Sequence, residues 1–197
     1  MALMFDIPIF KYKIENWTEV KAKLLEQFKN SPSETVSNSR ISGGQIHTDF
    51  FKCIKEPRIP EYIIKSLNYI DPYTMRFLGE ISEHLSTPDA VLRLGSDNIG
   101  VTSAWFQKQE QNMLHNIHNH GAVGFSSVCY VKFDKDVHLP TTFISPFNDF
   151  LAGNTQYYQP EVEEGDIIFF PSTVQHYSPP NSSDSDRIIF SFNLNRL

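Results

Sequence analysis

The chain has 197 residues, a net charge of −6 and two cysteines, and its 16 Phe and 8 Tyr bring the aromatic content to 13%. This length suffices for one domain with its own core, and the scattered basic residues argue against a nucleic-acid-binding protein. Cys53 and Cys129 lack metal-ligand spacing, the N-terminus lacks a basic signal-peptide region, and no apolar run approaches the roughly 20 residues of a membrane span. We therefore expect a cytoplasmic protein with free thiols that binds neither nucleic acid nor a membrane.

Residues 1–89 predict a strand and helices that pack on the remainder of a single domain. An extended opening segment precedes a helix capped by Asn16, in which apolar residues recur at helical spacing. The Ser- and Asn-rich stretch 30–44 predicts a loop. Residues 60–70 and 71–85 predict two helices, and the second begins with Asp-Pro. These helices should cover one face of a sheet.

The segment 45–51 predicts a short strand and contains His47-Thr-Asp49, a His-x-Asp pair of the kind that ligates iron. A tripeptide of this composition arises often by chance. We therefore interpret it as a polar strand end or a surface beside the substrate, and not as the metal motif.

Residues 90–197 alternate short apolar runs with turn residues and show no helical period. This pattern is typical of a jelly roll, and we predict a mostly β fold with flanking helices, a cupin-like double-stranded β-helix. The longest interruption, Ser145–Thr155, is a candidate lid or substrate loop. The predicted strands are Val91–Leu94, Ile99–Gln107, Met113–His118, Phe125–Phe133, Leu139–Ile144, Gln156–Val162, Ile167–Phe170 and Arg187–Leu194.

Three of the seven histidines lie within six residues, in His115-Asn-Ile-His118-Asn-His120. On an extended strand His118 and His120 share a face, so both imidazoles can point at one ion. His176 stands just past the end of a predicted strand and can supply a distant third ligand. This set predicts a metal site with open coordination positions.

Imidazole ligands suit iron, zinc, copper and nickel alike, so the identity of the metal must be inferred from the other residues of the site. Arg187 opens the last strand eleven residues after His176, and its guanidinium can pair with the remote carboxylate of 2-oxoglutarate. This combination favours a non-haem Fe(II) centre that binds 2-oxoglutarate and then dioxygen. Zinc-dependent hydrolysis is the chemical alternative, and a surface ion pair with Asp184 or Asp186 is the alternative for the arginine.

The C-terminal half resembles the Fe(II)/2-oxoglutarate-dependent oxygenases, specifically a small group with a His-x-His…His…Arg pattern. The matching order is a Trp, the His-x-His pair thirteen residues later, a Ser-Ser-Val-Cys-Tyr-Val strand, Gly-Asp-Ile-Ile-Phe-Phe-Pro-Ser, a histidine and Arg-Ile-Ile-Phe-Ser-Phe-Asn. The resemblance spans Trp105 to the C-terminus. It implies a double-stranded β-helix in which His118 and His176 hold Fe(II), with no catalytic residue beyond the metal centre.

Two departures from the wider superfamily affect the site. Asp or Glu usually stands where this chain has His120, so the third ligand is His120 itself, a carboxylate from elsewhere, or absent, in which case a halide could bind and direct halogenation. The serine that usually follows the arginine by two positions is Ile189 here. A hydroxyl partner for 2-oxoglutarate must then come from Ser191, Tyr130 or another group.

The resemblance implies a dioxygenase that hydroxylates a C–H bond of a small molecule or of a protein side chain, in the manner of a prolyl hydroxylase, and releases succinate and CO₂. Alternatives are a non-catalytic cupin-like metal-binding module and a three-histidine dioxygenase or halogenase-like enzyme that does not need the arginine. The sequence does not identify the substrate, and it leaves open a homodimer. The aromatic residues expected to wall the site are Phe125, Tyr130, Phe169, Phe170 and Phe190.

Overall fold

The computed structural model describes residues 7–38, 44–56, 58–84 and 99–197. These residues form eleven strands and three helices. The helices are α1 (Trp17–Lys29), α2 (Phe50–Cys53) and α3 (Glu61–His84). The strands are β1 (Phe10–Lys13), β2 (Glu34–Asn38), β3 (Gly44–Thr48), β4 (Ile99–Gln109), β5 (His115–His118), β6 (Phe125–Lys132), β7 (Thr142–Asn148), β8 (Thr155–Tyr158), β9 (Asp166–Pro171), β10 (His176–Ser178) and β11 (Arg187–Arg196).

Two antiparallel sheets face each other. The larger has the strand order β1-β9-β6-β11-β4-β3-β2, and the smaller has the order β5-β10-β7-β8. Consecutive strands of the C-terminal half alternate between the sheets, except that β7 and β8 form a hairpin within the smaller one, and this is the arrangement of a jelly roll. The predicted double-stranded β-helix with flanking helices is confirmed.

Strand β11 lies at the centre of the larger sheet, between β4 and β6. Its side chains alternate between two separate cores because successive residues of a strand point to opposite faces. Ile188, Phe190 and Phe192 pack in the core beneath the helices, whereas Ile189 packs in the core between the sheets. Arg187 therefore starts the strand on the face that looks toward the smaller sheet.

Helices α1 and α3 pack against each other and cover the outer face of the larger sheet. The prediction of two helices over 60–85 is wrong, because α3 runs through Pro72 without a break. Burial of Ile63, Ile70 and Phe77 along one side of the helix offsets the hydrogen bond that the proline cannot donate. No helix among the described residues combines the length and apolar character needed to cross a bilayer.

Three local predictions also differ from the structure. Residues 34–38, predicted as loop, form β2 because they pair with β3. His176 does not follow a strand end but begins β10, which is paired on both sides. The predicted lid at Ser145–Thr155 is a β-hairpin, in which β7 extends to Asn148 and β8 starts at Thr155. The predicted strand at 91–94 lies outside the described residues, and the division of the chain near residue 90 stays a prediction.

The turn before β9 depends on a glycine. Gly165 has a φ of +85°, which is unfavourable for residues with a Cβ, and a Cβ at this position would lie 2.7 Å from the Trp17 ring. Its N–H donates to the carbonyl of Tyr130. This turn therefore fixes the start of α1 against the strands that carry the site. Asn16, the predicted cap, precedes α1 in a left-handed conformation and makes no side-chain capping bond.

Candidate active site

Two paired strands of the smaller sheet bring the predicted histidines together. His118 at the end of β5 is the direct cross-strand partner of His176 at the start of β10, and their rings are 4.4 Å apart. His120 follows β5, where its backbone N–H donates to the carbonyl of Ser172. The ligand nitrogens of these three residues all lie within 4.8 Å of one another.

Backbone carbonyls select the tautomers of two of these histidines. Nδ1 of His118 lies 2.6 Å from the carbonyl oxygen of Asn116, and Nδ1 of His176 lies 2.9 Å from that of Val174. A carbonyl oxygen only accepts, so each Nδ1 carries a proton and each Nε2 keeps its lone pair for a metal. Burial lowers the pKa of both imidazoles, and burial together with His118 lowers the pKa of His120 to about 4.

The histidine cluster matches the dimensions of a metal site. Nε2 of His120 and Nε2 of His176 are 3.2 Å apart, close to the roughly 3 Å expected of two nitrogens bound at right angles to one ion. The Trp105 ring stacks on the His120 ring at 5.3 Å, and the Phe170 ring contacts that of His176 at 4.9 Å. Neutral, rigidly held imidazoles fit a divalent transition metal, and no Asp, Glu or Cys from the described residues joins this group.

Arg187 is a buried cation without a carboxylate partner among the described residues. Its side chain is 2% exposed, and both Nε and Nη2 lack a hydrogen-bond acceptor. The guanidinium lies 5.5 Å from the centre of the Tyr130 ring and 5.9 Å from that of Phe133. Burial lowers the pKa of Arg187. The predicted alternative, a surface ion pair with a neighbouring aspartate, is wrong because the side chain points into the protein.

Gln109 holds the guanidinium from the opposite side. Its Oε1 accepts from Nη1 of Arg187 at 2.7 Å and from Oγ of Ser178 at 2.6 Å, while its Nε2 donates to the carbonyls of Met113 and Pro179. Every bond of this amide is therefore in use. The contact is neutral, so it orients Arg187 without cancelling its charge, and the edge formed by Nε and Nη2 remains for an anion.

A small cavity of about 20 Å³ lies beside the histidines, and Arg187 and Gln109 are not among its lining residues. Its lining includes the three histidines, Ser191 and Ile189 of β11, Thr141 and Ser178. The Thr141 N–H donates to the Tyr130 hydroxyl at 3.2 Å, and the Ser178 hydroxyl donates to Gln109. The cavity holds about one water, so a ten-heavy-atom dicarboxylate requires its lining side chains to move apart.

A larger cavity of about 550 Å³ opens on the other side of the cluster. The two cavities share Gln107, His115, His118 and His120 as lining residues. The exposed side chains of Ile117 and Phe51 also line the larger cavity. Trp105 and Phe50 pack edge to face, with ring centres 4.9 Å apart, and form part of the wall. The cluster therefore borders one small cavity and one cavity large enough for a substrate.

The His-x-Asp pair lies apart from the cluster, as interpreted. Asp49 is fully buried and accepts hydrogen bonds from the Phe106 N–H, Ser31 and Tyr62, while His47 contacts Thr35. Burial raises the pKa of Asp49, and these hydrogen bonds oppose that effect. Asp49 therefore joins α2, α3 and β4 and has a structural role.

The predicted aromatic walls are largely wrong. Phe125, Phe169 and Phe190 belong to the core under the helices, because they lie on the outer faces of their strands. Phe170 and Tyr130 do point between the sheets but line neither cavity. The Phe170 ring contacts the ring of His176, and the Tyr130 ring contacts the guanidinium of Arg187.

Two glutamines of the site escaped the sequence reasoning, which named His115 in the histidine cluster but gave it no role. Gln107 and Gln109 follow Trp105 at alternate positions of β4, so all three face the smaller sheet. His115 lines both cavities, and its ring is 4.1 Å from that of His118. The available signal was the alternation Trp-Phe-Gln-Lys-Gln, in which buried amides take positions that usually carry apolar side chains.

Comparison with known proteins agrees with this geometry. Residues 103–193 match the model of the family described as "Putative 2OG-Fe(II) oxygenase". No curated protein matches the chain significantly by sequence.

Solved structures share the fold at low sequence identity. A Burkholderia pseudomallei oxidoreductase of the 2OG-Fe(II) oxygenase family has a TM-score of 0.66 at 12% identity, over 96% of this chain and 85% of its own. A Pseudomonas putida prolyl-4-hydroxylase has a TM-score of 0.59 at 13% identity, with 97% and 94% covered. The α-ketoglutarate-dependent carbocyclase SnoK from nogalamycin biosynthesis has a TM-score of 0.56 at 12% identity, with 94% and 78% covered.

Proposed function

We propose that this chain, whose residues 103–193 match the 2OG-Fe(II) oxygenase family model, is a member of that family and hydroxylates an unactivated C–H bond of an organic substrate. The balanced reaction converts R–H, dioxygen and 2-oxoglutarate into R–OH, succinate and CO₂. One oxygen atom enters the new carboxylate of succinate and the other enters the hydroxyl group. The family uses Fe(II) and 2-oxoglutarate, and the solved neighbours include a prolyl-4-hydroxylase and a carbocyclase.

The three histidines would hold the metal. His118 and His176 present Nε2 lone pairs because their Nδ1 protons are bound to backbone carbonyls, and His120 lies beside them in the position that often carries a carboxylate. Fe(II) bound there with 2-oxoglutarate supplies the dioxygen activation that C–H oxidation requires. The protein's part is to keep the imidazoles neutral, to bind the co-substrate and to limit access of water.

Arg187 would bind the remote carboxylate of 2-oxoglutarate through Nε and Nη2. The Tyr130 hydroxyl, which accepts from Thr141 and still has its own proton to donate, and Ser191, on the same face of β11, would supply further hydrogen bonds. Carboxylate pairing with a desolvated guanidinium is strong and fixes orientation. These residues would bind the co-substrate, and none would act on the substrate directly.

One observation carries this proposal: no described residue accepts a hydrogen bond from Nε or Nη2 of the buried Arg187. A buried cation without a counter-ion is costly, and it is explained if an anion belongs there. A three-histidine dioxygenase without a keto acid gives no reason for it. A halide could bind only if the third ligand were absent. This is disfavoured because Nε2 of His120 lies 3.2 Å from Nε2 of His176.

Succinate formation tests the proposal. Protein loaded anaerobically with Fe(II) is given 2-oxoglutarate and air, and succinate is compared among wild type, His176→Ala and His47→Ala. We expect succinate from wild type and His47→Ala, since His47 lies outside the cluster, and loss of both bound iron and succinate in His176→Ala. Wild-type protein that binds iron but neither binds 2-oxoglutarate nor forms succinate would refute it.

A further inference from the structure

The 550 Å³ cavity beside the histidines has the properties of a small-molecule pocket. Its volume falls within the roughly 300–1,000 Å³ typical of sites for drug-sized ligands. A single amino-acid side chain would fill only a small part of it. The volume therefore favours a ligand of several rings or an equivalent bulk.

The walls of this cavity indicate an uncharged ligand. Seven apolar side chains from β2, β3, α2 and the β4–β5 region line it beside eight polar ones, and none of the described lining residues is Asp, Glu, Lys or Arg. A carboxylate or ammonium group placed there would lose its hydration without gaining a counter-ion. The flat rings of Trp105 and Phe50 offer contact area to an aromatic or alicyclic group.

Gln107 adds one directional contact to this apolar surface. Its side chain is 2% exposed and lines both cavities, and no described residue supplies an acceptor for its Nε2. Other amides of the lining are engaged, since Asn119 accepts from the Gly121 N–H and Asn193 donates to Ser103. A buried N–H group without a partner is unfavourable, and an acceptor oxygen on a bound molecule would satisfy it.

We propose that the substrate is an uncharged, mainly apolar small molecule of at least two fused rings or similar bulk. Gln107 positions it by donating a hydrogen bond from Nε2 to a carbonyl or ether oxygen. The inference rests on the proposed hydroxylation at the adjacent metal site. A free amino acid and a peptidyl side chain are the competing substrates, and they differ in charge or in the volume they fill.

Three shape-matched probes test the pocket on the Fe(II)- and 2-oxoglutarate-loaded protein, by anaerobic calorimetry. 2-Acetylnaphthalene is neutral and has one acceptor, 2-isopropylnaphthalene is neutral without an acceptor, and 2-naphthoate is an anion. We expect 2-acetylnaphthalene to bind most tightly and 2-naphthoate at least tenfold more weakly. Gln107→Met should weaken 2-acetylnaphthalene about fivefold, the effect of one hydrogen bond, and leave 2-isopropylnaphthalene unchanged.

The inference fails if no probe binds, if 2-naphthoate binds as tightly as the ketone, or if Gln107→Met leaves the ketone unaffected. Should Gln107→Met not fold, Gln107→Asn, which withdraws the amide by one methylene group, must show the same selective loss. Weaker binding of 2-oxoglutarate alone in the variant would assign the donor to the co-substrate and overturn the inference. Succinate release, measured in parallel, tests the oxygenase function separately.

Discussion

Replacing Gln109 with Glu probes how this protein would bind the co-substrate carboxylate. The two side chains have the same shape, but Glu adds a negative charge at the atom that lies 2.7 Å from Nη1 of Arg187. The guanidinium would then have its counter-ion inside the protein. Arg187 keeps its position in this variant while the site loses its net positive charge.

The expected size of the effect follows from Coulomb's law. A carboxylate bound to the far edge of the guanidinium would lie roughly 6 Å from the new charge, and at an effective dielectric constant of about 20 the repulsion is about 2.8 kcal/mol. This corresponds to a loss of 2-oxoglutarate affinity of about 50- to 100-fold. Loss of the Gln109 N–H bonds to Met113 and Pro179, both longer than 3.2 Å, adds a small cost in stability.

The assay is calorimetric titration of metal-loaded protein with 2-oxoglutarate, with metal affinity and thermal unfolding measured on the same samples. Gln111→Glu is the matched control, because it adds the same charge two residues away on an exposed side chain. We expect normal affinity in the control and unchanged metal binding in both variants. A change of less than about threefold in Gln109→Glu, with the protein folded, would show that the charge of Arg187 does not anchor the ligand.

Three further predictions concern residues outside the proposed ligand set. Gly165→Ala should lower the free energy of unfolding by about 2 kcal/mol in urea titrations, because a φ of +85° and the contact with Trp17 both oppose a Cβ. Asp49→Ala should cost about 2–3 kcal/mol by removing the acceptor of one buried and two partly buried donors, yet leave metal stoichiometry unchanged; loss of metal would instead make Asp49 a ligand. Burial raises the pKa of Cys53 to about 11 and also raises that of Cys129, so the thiolate fraction at pH 8 is about one in a thousand for Cys53. Iodoacetamide should label both thiols only after unfolding, and rapid labelling of the folded protein would contradict this.

Sequence reasoning predicted the features of this protein that depend on the spacing of residues within one segment of the chain. The spacing of His118 and His120 places both on one side of a strand, and the alternation in β11 separates Arg187 and Ser191 from the residues of the helix-side core. The short apolar runs broken by turn residues predicted a jelly roll, because such runs bury a sheet face only by pairing with distant strands.

Tertiary structure decided the features that arise between distant segments. Pairing with β3 makes 34–38 a strand, and the packing of α3 on the core carries a helix through Pro72, although the local sequence predicts a loop and a break. The same holds for the site. His176 is fixed by its register with His118, and Gln109 holds Arg187 because the two are cross-strand partners between β4 and β11. Such partners are set by the pairing of strands separated by up to about a hundred residues, which periodicity within one segment does not encode.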